Sequence, residues 1–86
     1  MFRKSVVLCE KPKPGRPGDQ PAKIVPRPAT YDNAVALVKK HYADYRLVSL
    51  STNEHVAYAG HMVEITKDAW PAVKDDIGII YFDGWR

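Results

Sequence analysis

Three histidines, His41, His55 and His61, and a single cysteine, Cys9, are the residues of this 86-residue chain that could hold a soft metal ion or attack an electrophile. A structural zinc site takes its ligands in close pairs, so that a single turn delivers two of them to one ion. No pair among these four has that spacing, and three of the four fall on different predicted elements. They read as surface or partly buried side chains. A nucleophilic cysteine needs a neighbouring base and a lowered pKa. The sequence offers Cys9 only the proximity of Lys4 and Lys11. It reads instead as a small residue on a half-buried strand. Asp75 and Asp76 are adjacent in a turn, where successive side chains diverge, so they form no shared-proton pair and turn chemistry accounts for them. The chain is therefore expected to be non-catalytic, with no cofactor and no metal.

Composition sets the class. With 45% hydrophobic and 27% charged residues, the chain has the balance of a soluble globular protein. Its length fits one domain over residues 1–86 with one core. One cysteine excludes an internal disulfide framework, which points to the cytoplasm or nucleus. Near the N-terminus the longest apolar run is Val6-Val7-Leu8-Cys9. That is far short of a signal-peptide core or of the roughly 20 residues that span a bilayer, so no membrane partner is expected.

The net charge of +3 is unevenly divided. Residues 1–30 carry seven Lys/Arg against Glu10 and Asp19, a net +5, whereas residues 31–86 carry six against eight, a net −2. Much of the basic character lies between Lys11 and Pro28. Within it, residues 11–20 hold three prolines and two glycines, which forbid regular structure and predict a flexible, solvated basic loop.

Periodicity supplies the elements around that loop. Lys4 to Glu10 reads as a strand, and Ala22 to Val25 as a second, short one. Pro21, Pro26 and Pro28 flank the second strand and cannot donate to a ladder, which confines it to a sheet edge. Tyr31, Ala34, Val35, Val38 and Tyr42 then recur at spacings of three and four, predicting a helix over Tyr31 to Tyr42. Thr30 is placed to cap it by accepting the N–H of Asn33, with Asp32 in the first turn and Lys39 and Lys40 in the last, as the helix dipole favours. A third strand follows at Tyr45 to Leu50, a turn cluster at Ser51 to Glu54, a short extended piece at His55 to Tyr58 and a turn at Gly60. Another short strand runs from His61 to Thr66, with Met62 or Val63 and Ile65 inward. Asp68 is the expected N-cap of one helical turn holding Trp70 and Pro71. The last strand sets Ile77, Ile79 and Tyr81 against Ile80 and Phe82. Apolar residues on both faces mark it as central.

A proline-bound second strand at an edge, one helix and a two-sided final strand at the centre predict an α+β fold with a mixed sheet of four to five strands, ordered 2-1-5-3-4, and the helix across it. This order, with the segment Val63-Glu64-Ile65-Thr66-Lys67-Asp68-Ala69-Trp70-Pro71-Ala72-Val73, resembles the ubiquitin-like β-grasp fold, and in particular fungal ubiquitin-like domains. The resemblance implies protein–protein recognition. It departs at the C-terminus, where Asp83-Gly84-Trp85-Arg86 lacks the Gly-Gly that conjugation to lysine requires.

If Ile80 and Phe82 face the helix, Ile79 and Tyr81 lie on the opposite sheet face with nothing predicted to cover them. They are the expected anchors for another protein or for a second copy of the chain, with Arg3 and Lys4 at the rim. The alternative is a small nucleic-acid-binding protein that uses the basic N-terminal loop and exposed tyrosines. No RNA- or DNA-recognition motif accompanies that loop, and the predicted ordered part is acidic.

Overall fold

A computed structural model describes residues 4–11, 21–42 and 46–85. The strands are β1 (Ser5–Glu10), β2 (Lys23–Pro26), β3 (Arg46–Thr52), β4 (Val63–Ile65) and β5 (Ile79–Trp85). The helices are α1 (Tyr31–His41) and the short α2 (Trp70–Val73). The sheet is ordered β2-β1-β5-β3-β4, the order expected from the sequence. β5 runs parallel to β1 and antiparallel to β3; the outer pairs β1/β2 and β3/β4 are antiparallel. Among the described residues, no helix is long and apolar enough to cross a membrane.

Side-chain alternation along β5 decides which residues make the core. Ile80 and Phe82 are fully buried, while Ile79 and Tyr81 are half-buried on the other face. Strand register extends this into rows across the sheet. Glu10, Phe82, Leu50 and Ile65 stand opposite one another on four successive strands, and Lys23, Leu8 and Ile80 on three. Ala34, Val38 and Tyr42 of the helical segment close over the apolar members of these rows, joined by Val6, Val25, Trp70 and Ile77 in one core. The Tyr42 ring packs on Phe82 at 4.6 Å between centroids, and Tyr31 meets Trp70 edge-on at 6.2 Å. The indole N–H of Trp70 finds no acceptor among the described residues. That costs about 1–3 kcal/mol. Burying a ring of roughly 200 Å² at about 25 cal/mol/Å² returns more.

The caps follow local chemistry. The Thr30 hydroxyl accepts the Asn33 N–H at 3.0 Å. At the other end of α1 the Lys23 ammonium donates to the His41 carbonyl at 2.9 Å and lies 4.8 Å from the centre of the Tyr42 ring. The Tyr42 hydroxyl donates to the Pro21 carbonyl at 2.7 Å. Arg27 does for α2 what Lys23 does for α1: its Nη1 donates to the carbonyls of Lys74 at 2.5 Å and Ile77 at 2.7 Å. Cations at helix C-termini satisfy carbonyls that the helix leaves without partners.

Four local expectations are corrected. Ser51 and Thr52 are buried residues of β3, because pairing with Glu64 and Val63 outweighs their turn propensity. His55 to Tyr58 is a 3-10 turn at Val56–Tyr58 rather than extended, since the His55 Nδ1 accepts the Ala57 N–H at 3.1 Å. The cap of α2 is Ala69, not Asp68. The Asp68 carboxylate is held below its ordinary pKa by bonds from the Thr66 side chain and from the backbone N–H groups of Asp68 and Ala69, so it shapes the preceding turn instead. Ile77 belongs to the core rather than to the Ile79 face, because it precedes β5 and Gly78 breaks the alternation. Gly60 makes its expected turn at φ 83°. The loop placed at 11–20 lies outside the described residues except for Lys11, whose N–H donates to the Phe82 carbonyl at 2.8 Å.

Two predictions follow from this packing. Val38→Ala removes two methyl groups from a site with 0% exposure, and should cost about 1.5–3 kcal/mol in urea unfolding, a large share of a small domain's stability. An unchanged midpoint would take Val38 out of the core. Burial, with lesser help from nearby Cys9 and Glu10, raises the pKa of the Tyr42 phenol. The folded chain therefore keeps this proton to higher pH than the unfolded one. Stability from Tyr42 is full below about pH 10 and is lost as pH rises through the folded value. Tyr31 is raised in the same direction, so Tyr42→Phe should flatten, not abolish, the alkaline loss of stability.

Candidate functional site

The sheet face turned away from the helices is built by the same register that builds the core. Ile24, Val7 and Ile79 stand opposite one another on β2, β1 and β5. The next row runs Cys9, Tyr81, Ser51, Glu64 across β1, β5, β3 and β4. Ser49 opposite Asp83 forms a third. The face is thus graded, aliphatic and aromatic over β2, β1 and β5, polar over β3 and β4. Its aliphatic end reaches the edge strand at Ile24, which is 77% exposed.

Of the expected anchors, Ile79 and Tyr81 sit on this face in adjacent rows, both half-buried. Lys4 is exposed one residue ahead of β1, at the end where β5 begins. Arg3 lies outside the described residues. Ile24 and Val7 are members of the face that the sequence reading passed over. The signal for Ile24 was available: an apolar residue beside Val25 in a proline-flanked edge strand must point away from the core if Val25 points in.

The candidate chemistry divides as follows. Cys9 is half-buried beside Tyr81, and its thiol donates to the Glu10 carbonyl at 3.6 Å. Burial first, and then the Glu10 charge, raise its pKa, the opposite of what a nucleophile needs. His55 and His61 are exposed and His41 is half-buried. His61 lies against Tyr58, ring centroids 4.8 Å apart. No group of three or more His, Cys, Asp or Glu suited to a metal ion occurs among the described residues. Asp75 pairs with Lys74 at 3.0 Å.

Alkylation of Cys9 by iodoacetamide should therefore be slower at neutral pH than that of an unstructured cysteine, rising about tenfold per pH unit towards alkaline pH. A fast, pH-independent reaction would show a thiolate that this environment does not stabilise. No protein-family model matches the chain, and neither curated proteins nor solved structures give a match.

Proposed function

We propose that this chain is a non-catalytic protein-interaction module of ubiquitin-like β-grasp type, which binds another protein or a second copy of itself through the sheet face opposite α1. The strand order, with a parallel central pair and the helix on one side, supports the β-grasp reading. The observation that carries the function is the unbroken row Ile24–Val7–Ile79, flanked by Tyr81 and ending at an exposed edge residue. An apolar row of this kind forms the dry centre of an interface, and exposed Glu64 with half-buried Asp83 on the polar side supplies a rim. Aromatic and aliphatic anchors at such centres carry about 2 kcal/mol or more each, whereas rim charges such as Arg3 and Lys4 mainly affect association rate and salt dependence.

Sedimentation of the wild type over a wide concentration range, beside Ile79→Asp and Tyr81→Ala, tests self-association. Photocrosslinking from position 24 tests a different partner. Either contact should be lost in both variants while unfolding free energies from urea titration stay within about 1 kcal/mol of wild type, and Arg3→Ala/Lys4→Ala should weaken it only at low salt. The basic N-terminal third gives the rival reading its own test. Filter binding of single-stranded RNA or DNA should be weak. Tight binding by a strictly monomeric chain, falling steeply with salt and with loss of Lys11, Lys13 and Arg16, would overturn the proposal.

A further inference from the structure

Val56 is 91% exposed and takes no part in the sheet face. It sits in the 3-10 turn of the loop between β3 and β4, and two hydrogen bonds fix the loop in place. Gly60 donates its N–H to the Asn53 carbonyl at 2.9 Å, closing the loop on itself. The Glu54 carboxylate accepts the Gly78 N–H at 2.7 Å, which draws the loop against the segment joining α2 to β5. A cleft of about 360 Å³ lies between the two segments. This is at the small end of the roughly 300–1,000 Å³ typical of ligand pockets. Buried Ile77 and Thr52 line it, with Val56, Ala72 and Val73 as further apolar lining.

The charged lining has one sign. Among the described residues, Glu54 and Asp76 line the cleft and no lysine or arginine does. Lys74 is engaged by the neighbouring Asp75 at 3.0 Å. Arg27 is turned to the backbone carbonyls of Lys74 and Ile77. His55 is the remaining titratable group of the lining, and its Nδ1 is taken up by the Ala57 N–H.

An aliphatic cleft bearing two carboxylates and, among the described residues, no cation complements a side chain with an apolar stem and a positive head. We infer that it docks a basic peptide segment of a partner protein, with a lysine or arginine stem laid along Val56, Val73 and Ile77 and its charge against Asp76 and Glu54. The occupant also covers Val56, for which the fold itself offers no cover among the described residues. The cleft borders α2 on the helix side of the sheet, so it is separate from the Ile24–Val7–Ile79 row.

Titration of the isotope-labelled protein by NMR, using three acetylated and amidated hexapeptides, tests this. The probes are Ala-Leu-Lys-Arg-Leu-Ala, the same peptide with two glutamates in place of the basic pair, and the same with two glutamines. The basic peptide should give saturable shifts concentrated at residues 52–56 and 72–77, and should bind at least about tenfold tighter than either other probe. Its affinity should fall in high salt. Asp76→Asn and Val56→Ser should each weaken it at least about threefold with the urea midpoint unchanged. Glu54 is left intact because it holds Gly78. Equal binding of the glutamate peptide, absence of saturation, or shifts centred on residues 7, 24 and 79 would overturn the inference.

Discussion

The pairing of β5 with both β1 and β3 is the constraint on which the rest of the molecule depends. The two flanking strands precede it by at least 27 residues, so the sheet closes only when β5 is inserted between them. An inserted strand has its ladder groups paired on both sides and side chains on both faces to accommodate. Ile80 and Phe82 meet α1 on one face, and Ile79 and Tyr81 meet Val7 and Cys9 on the other. Shifting β5 by one residue would exchange these sets. The buried Tyr42–Phe82 contact and the Glu10–Phe82–Leu50–Ile65 row hold the register against that shift.

A small core cannot hold long connections by apolar contact alone, and here polar side chains do it at the ends of elements. Lys23 and Tyr42 tie the start of β2 and the segment before it to the end of α1. Arg27 ties the residue after β2 to the turn after α2. Glu54 ties the β3–β4 loop to the residue before β5. Each bond joins a charged or hydroxyl group to a backbone group that would otherwise need water. For the part-buried Lys23 and Arg27 bonds the net contribution is about 1–3 kcal/mol each, comparable to one core side chain, and for the exposed Glu54 bond it is less. The exposed Lys67–Asp32 pair at 3.3 Å, with both side chains more than 70% exposed, is worth far less.

The same connections organise the surface. With α1 and α2 on one side, the sheet leaves a graded apolar face on the other, while the Glu54 bond creates a cleft beside α2 with acidic lining. The proposed recognition surfaces therefore differ in chemistry, one a flat apolar row and the other a small acidic pocket. A partner engaging both would have to wrap around the end of the sheet where β5 begins.

The sequence by itself determined the elements whose periodicity or capping is local. The α1 stripe, the Thr30 cap, the edge position of the proline-bound β2 and the central position of β5 were all legible, because 3.6- and 2-residue periods and missing N–H groups are properties of the chain. That Ile79 and Tyr81 share one face of β5 was legible for the same reason, but apolar residues on both faces removed the alternation that would say which face turns from the helix. The tertiary structure alone decided the rest. Ser51 and Thr52 read as a turn until β4 pairs with them, and Ile77 reads as a partner of Ile79 until the bend at residue 78, ahead of β5, places it in the core. The row Ile24–Val7–Ile79 and the meeting of Glu54 with Gly78 depend on strand register and on contacts between residues far apart in sequence. No local pattern encodes those distances, because they are set by which strands pair and in which alignment.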